Sequence, residues 1–177
     1  FKRYIPSLVP LMSNDNSGTH TLFCNKQGRA NIVDISTGQV VYGENPREET
    51  LTQLSNNLSN AQEIFVAEFE GTSAAVVFGL GLGFHLEELV STSKFQNIVV
   101  YEPNLDFFRC SLSAIKWNII FTEAKKKGIG LFLQIGEDAR NLYDNVEEIS
   151  SQLNVNRFTL IRHLNSPSFG EISKFLA

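Results

Sequence analysis

The residues best placed to do chemistry are Gly79-Leu-Gly81-Leu-Gly83-Phe-His85 and, nineteen positions beyond the last of those glycines, Glu102. The glycines follow an apolar run, Ala74 to Phe78, and precede an amphipathic one, Phe84 to Val90. Between a buried strand and a helix, glycines let the chain turn tightly and let a ligand approach the backbone, while the helix N-terminus offers free N–H groups. Glu102 ends the next apolar run, Asn97 to Tyr101, where such folds place a carboxylate that accepts hydrogen bonds from ribose hydroxyls. His85 stands at the mouth of the turn as a pocket-lining residue. The other reading is that the glycines only permit close packing of helix on strand, and that Glu102 caps the helix starting beside Pro103.

Spacing narrows the ligand. The pattern is GxGxG, with Phe84 where GxGxxG would need its third glycine, so a nicotinamide or flavin dinucleotide fits poorly. No Walker lysine follows, and Glu87 and Glu88 in the early helix would oppose a pyrophosphate. A cationic or neutral adenosine ligand is tolerated better. No catalytic residue and no metal ligand is assigned: His20, His85 and His163 lack metal-ligand spacing, and neither GxSxG nor HExxH is present. Cys24 and Cys110 form neither a disulfide framework nor a metal pair, and are expected to be reduced thiols. Lys125, Lys126 and Lys127 read as a solvated helix end before Gly128; Phe107, Phe108 and Trp117 read as core; Asp106 and Arg109 read as a pair on an exposed helix face.

The elements that must position these residues follow from periodicity. Thr21 to Cys24, Ala30 to Ile35 and Val40 to Tyr42, separated by turn residues, predict a small antiparallel β-meander. Asn45 as N-cap, Pro46 in the first turn, and Leu51, Leu54, Leu58 and Ala61 at helical spacing predict a helix from Pro46 to about Gln62. Ile64 to Phe69 is open between helix and strand. Beyond Gly71, buried runs alternate with amphipathic ones. The strands expected are Ala74 to Phe78, Asn97 to Tyr101, Gly130 to Ile135 and Phe158 to Arg162. The helices expected are Phe84 to Val90, Leu105 to Trp117, Ile119 to Lys127, Asp138 to Leu153 and Ser168 to Leu176. This order predicts an α/β fold: a Rossmann-like open, mostly parallel sheet with helices on both faces, preceded by the meander. The expected division is 1–62, meander plus connecting helix, and 63–177, the Rossmann-like domain.

Composition bounds the partners. Over 177 residues, fifteen Lys and Arg against nineteen Asp and Glu leave a net charge of −4, with no basic face for a phosphate backbone, so nucleic acid is excluded. No apolar run approaches the ~20 residues a bilayer needs, and no charged-then-apolar leader opens the chain. A soluble, cytoplasmic protein is expected. The chain starts at Phe1 rather than Met, and the expectation is a piece of a longer parent.

Two resemblances add to this. The GxGxG turn, Glu102 and Gly136-Glu137-Asp138-Ala139 resemble the first three motifs of class I S-adenosylmethionine-dependent methyltransferases. That implies S-adenosylmethionine as cofactor, with the glycines on its methionine moiety, Glu102 on ribose and Asp138 on adenine. Val77 departs from the acid that those enzymes usually carry two places before the first glycine, and about four core strands are too few for their acceptor site. The second likeness covers most of the chain. The stretches Val77 to Leu89, Ile98 to Phe108 and Ile135 to Asp138, with the upstream Gly18-Thr-His-Thr-Leu22 and Asn45-Pro-Arg-Glu-Glu49, resemble the N-terminal region of motility accessory factor (Maf) glycosyltransferases. Those bacterial proteins transfer nonulosonic acids, such as pseudaminic or legionaminic acid, from a CMP donor to Ser or Thr of flagellin. The family's Gly-Pro-Ser-Leu donor motif lies downstream of this region and is absent here. The resemblance therefore implies a non-catalytic module whose partners are flagellin, the parent's downstream catalytic domain or a second copy of itself.

Overall fold

The computed structural model describes residues 1–13, 18–65, 71–92, 95–136, 138–164 and 169–170. A short 3-10 turn at Pro6–Met12 leads to β1 (His20–Cys24) and β2 (Ala30–Asp34), an antiparallel pair. Asn25 shapes their turn, its side-chain oxygen accepting from Gln27 N and Arg29 N. The third strand expected at Val40 to Tyr42 is reduced to one bridge, Val33 to Val40. Val41 N still donates to Ile32 O at 2.9 Å, and beyond it the Asn31 side-chain amide takes the place of a ladder. It donates to Tyr42 O and Gly43 O and accepts from Tyr42 N, which turns the chain away from the hairpin.

Helix α1 (Pro46–Ser59) stops three residues short of the expected end. Asn45 precedes it but does not cap it, because its amide donates to Glu48 instead. Its buried face is Pro46, Thr50 and Leu54, and Leu58, expected on the inner stripe, is exposed. The segment left open begins as a strand, β3 (Gln62–Phe65), and its remainder lies outside the described residues.

The rest alternates as expected: β4 (Thr72–Phe78), α2 (Phe84–Thr92), β5 (Asn97–Glu102), α3 (Leu105–Ala114), α4 (Trp117–Lys127), β6 (Gly130–Ile135), α5 (Ala139–Leu153) and β7 (Val155–Arg162). One expected helix is divided. Leu105 to Trp117 breaks after Ala114, where Ile115 turns extended to pack on Gly83, and Trp117 opens α4 with its indole N–H donating to Ser111 Oγ at 3.2 Å. Gly128, left-handed at φ +70°, ends α4 as expected. Of the helix expected at Ser168 to Leu176, only Phe169 and Gly170 fall among the described residues.

The five-stranded sheet has the order β3-β7-β4-β5-β6, parallel except for the edge strand β3. It is the Rossmann-like α/β layer the sequence predicts, with helices on both faces. Alternate residues of β4 and β5 serve two cores. Val77 and Val100 meet Leu86, Phe108 and Ile120 on one face, while Val76 and Val99 meet Leu142, Val146 and Phe158 on the other. Each fully buried aliphatic or aromatic side chain contributes about 1.5–3 kcal/mol, which is why these uncharged runs settle in the middle of the sheet. Leu8, Ile32, Tyr42 and Leu54 join the first of these cores. Among the described residues no helix is long and apolar enough to cross a membrane.

Asp106 ties the hairpin to α3. Its carboxylate accepts from Thr19 N at 2.8 Å and His20 N at 3.1 Å. Arg109 lies 3.6 Å from the same carboxylate and donates to Leu11 O. The Asp106 and Arg109 pair, expected on an exposed face, is therefore largely covered, because Leu11, Thr19 and His20 lie over it. Replacing Asp106 with Ala removes the acceptor of two part-buried backbone donors, at about 1–3 kcal/mol in all. The expected result is a fall in Tm of about 2–4 °C per kcal/mol, and an unchanged melting curve would show that this tie carries no stability.

Candidate functional site: the glycine turn and its buried polar cluster

β4 is the point where the sheet's connectivity reverses: the chain leaves it for β5 on one side, and the last crossover returns to place β7 on the other. Open α/β sheets bind ligands in the crevice beyond the carboxyl ends of such strands. Here Gly79 follows β4 and His163 follows β7, so both enter that crevice. The structure brings Gly79, Gly81, Gly83, His85 and Glu102 together, and all five are buried.

The crevice is filled by the chain itself. His163 N donates to Phe78 O at 2.9 Å, which carries the segment after β7 across the end of β4. A Cβ at Gly79 would stand 3.1 Å from both Cβ and N of Leu164. At Gly81 (φ +51°) it would collide with the Tyr42 hydroxyl, and at Gly83 (φ +85°) with Ile115. All three glycines have positive φ, so each is needed for backbone shape as well as for close approach.

Every backbone N–H from Gly79 to Gly83 has an acceptor within the chain. Gly79 N donates to Tyr101 O at 2.9 Å and Gly83 N to Leu80 O at 2.8 Å. Leu80 N at 2.7 Å and Gly81 N at 3.3 Å donate to Glu102 Oε2, and Leu82 N donates to the Tyr42 hydroxyl at 3.3 Å. The other carboxylate oxygen, Oε1, accepts from Asn104 N at 2.9 Å at the start of α3. Burial pushes the Glu102 carboxyl above the usual carboxylate range, and the three N–H donors pull it partly back.

A polar cluster lies against the turn. The Tyr42 hydroxyl is 2.8 Å from His163 Nε2, and burial raises its pKa above the ordinary tyrosine value. The His163 ring packs on His85, tilted by 30°, at 4.1 Å between centroids. Burial pushes His163 down to about 4, and burial together with the neighbouring His163 holds His85 well below the ordinary histidine value. Thus His85 is 1% exposed, beneath the turn rather than at an open mouth.

Asp138 stands apart from this cluster in its bonding. It caps α5, its carboxylate accepting from Arg140 N at 3.1 Å. Glu87 faces outward to Arg47 at 2.7 Å. His20 meets Thr19 Oγ1 and the ring of Phe107. Cys24 and Cys110 are free thiols, and no three His, Cys, Asp or Glu among the described residues could hold a metal. One cavity of about 440 Å³ runs beside β6 and α5, and one of about 610 Å³ lies between the first residues and α4. Tyr42, His163 and Leu164 are the site residues that sequence reasoning missed. A usable signal existed only for the last two, since they directly follow a buried strand of a parallel sheet.

These features define a class: a Rossmann-type α/β module whose glycine turn is saturated by its own chain. The particular family follows from comparison. A family model described as the glycosyltransferase Maf N-terminal domain matches residues 57–176, and the chain belongs to that family. The stretches Val77 to Leu89, Ile98 to Phe108 and Ile135 to Asp138, which carry the likeness in the sequence, all fall within the match. No curated protein and no solved structure matches the chain.

Substituting Glu102 with Ala removes the acceptor of three backbone donors. A loss of at least about 2 kcal/mol is expected, read as a lowered denaturation midpoint. A carboxylate kept free for a ligand would give the opposite, an unchanged or higher midpoint on removal.

Proposed function

We propose that this chain is the N-terminal, non-catalytic module of a Maf-type glycosyltransferase that transfers a nonulosonic acid, pseudaminic or legionaminic, from a CMP donor to Ser or Thr of flagellin. In this reading it works in the bacterial cytoplasm and supports flagellar assembly and motility. Its task is docking: it holds the parent's catalytic domain, the flagellin acceptor or a second copy of itself. Membership of the Maf N-terminal family supports the enzyme class. The non-catalytic role is supported by one observation above others, the internal bonding of all five N–H groups from Gly79 to Gly83. A turn that has already given its donors to Glu102, Tyr42 and its own carbonyls offers little to an adenosine ligand.

Calorimetric titration with S-adenosylmethionine, S-adenosylhomocysteine, NAD and CMP tests the role of the turn. No heat of binding is expected from any of the four. Micromolar affinity for an adenosine ligand, about −8 kcal/mol, that is lost in Glu102→Gln would replace docking with a cofactor-dependent module of the methyltransferase type. Docking itself is tested with purified monomeric flagellin and with the separately expressed catalytic domain. Saturable binding of one or the other is expected, and silence from both, with no self-association by sedimentation, would reject it.

A further inference from the structure

The buried histidine pair is not needed to explain the glycine turn, yet it has an unusual construction. His85 and His163 are 1% and 3% exposed, their ring planes are 30° apart, and neither ring nitrogen of His85 makes a well-formed hydrogen bond, the Gly79 backbone being the one group that favours its charged form. The Tyr42 hydroxyl accepts from Leu82 N, and among the described residues its own proton meets one acceptor, His163 Nε2, in the neutral ring that leaves this nitrogen bare. A protonated His163 carries N–H on both nitrogens, which leaves the tyrosine proton without an acceptor.

Among the described residues no anion is free to receive such a charge. From β5, Glu102 already accepts three backbone N–H groups. From α1, Glu49 accepts from Gly43 N. From α3, Cys110 is a buried thiol with its pKa pushed up to about 11, and from α2, Glu87 is paired outward with Arg47. From the N-terminal segment comes Tyr42, and the remaining neighbour is His85 itself. Around them, Leu80 and Leu82 are fully buried.

We propose that His85, His163 and Tyr42 form a proton-sensitive latch, which holds residues 30–43 over the glycine turn while both rings are neutral and releases them, with the sheet still folded, when His163 is protonated. Release opens residues 30–43 locally, because the Asn31 amide that joins Tyr42 and Gly43 to β2 is anchored at the turn through Tyr42, while β1 stays tied to α3 by Asp106. The sheet does not go with it, since β4, β5, β6 and β7 take their ladders from one another. Releasing Tyr42 uncovers Gly81 and admits water to the charged ring. The sign follows from burial. His163 is held below its ordinary 6.5, so the latch contributes its full stability above that pH and loses it as pH falls towards about 4. The latch stands whether or not the chain docks flagellin.

Hydrogen exchange, expressed as protection factors at pH 7, 5.5 and 4.5, reads the release directly. In the wild-type chain, protection of residues 30–43 is expected to fall by about tenfold or more at pH 4.5, while Asn97–Glu102 stays protected. His163→Gln, whose amide accepts the Tyr42 proton and does not titrate, is expected to retain that protection. Tyr42→Phe is expected to lose it already at pH 7. Simultaneous loss in both segments of the wild type, or release of His163→Gln at the same pH as wild type, would overturn the latch. Should the variants fail to fold, the wild type decides alone. The histidine ring resonances and the release of residues 30–43 must then share one midpoint, and separate midpoints reject the proposal.

Discussion

One carboxylate organises the carboxyl edge of this sheet. Through its side chain, Glu102 accepts two N–H groups of the turn after β4 and one at the start of α3. Through its main chain it accepts Gly136 N at 2.8 Å, in the turn after β6. Three successive βα connections thus converge on a single residue. An ionised carboxylate taken out of water costs several kcal/mol, and charge-assisted bonds to N–H groups are about twice as strong as neutral ones, which is how such a group is tolerated at 2% exposure. The bonds also fix where α2 begins, and with it the position of His85. Without the carboxylate, the donors of the glycine turn would need water in a place where Leu80 and Leu82 leave none.

The remaining donor, Leu82 N, is met by Tyr42, forty residues earlier in the chain. Tyr42 reaches it because Asn31 ends the hairpin's pairing and redirects the backbone, and because Gly81 has no side chain to stand in the way. The segment after β7 completes the closure from the other side. The crevice that this topology usually leaves for a nucleotide is thereby occupied by a tyrosine, a histidine and a leucine drawn from both ends of the described chain. A closed crevice of this kind suits a module whose value lies in its shape and outer surfaces.

The local elements were legible because their signals are local. Uninterrupted apolar runs mark β4 and β5, the Gly128 stop ends α4, and Leu142, Val146 and Ile149 lie inward on α5, although Leu153, expected on the same stripe, is exposed at the last turn. Errors arose where a distant contact outweighed periodicity. Ile115 continues the apolar pattern of α3, yet it leaves the helix to fill the space above Gly83. Val40 to Tyr42 alternates like a strand, yet the amide of Asn31 takes the hydrogen bonds of Tyr42. The stripe on α1 misplaces Leu58 because only Leu54 of that helix reaches deeply into the shared core. Glu102 and the glycines were recognisable as a set, but their partners were not, since nothing near Gly81 in the sequence points to Tyr42.

The strand, glycine turn, helix, strand and acid order is therefore ambiguous in a specific physical sense. A turn of this shape needs positive φ at its glycines and an acceptor for its outward N–H groups whether a ligand or the chain supplies that acceptor. The same residue types satisfy both demands, so the motif alone cannot separate a cradle from a joint. Counting donors does separate them. Each N–H has a single proton to give, and a backbone that has placed all of them internally must break those bonds before it can hold anything else. In this chain such an opening would have to release Glu102, Tyr42 or both. Any ligand would then compete with the contacts that fix α2, α3 and the N-terminal hairpin, and its binding free energy would be reduced by the cost of undoing them.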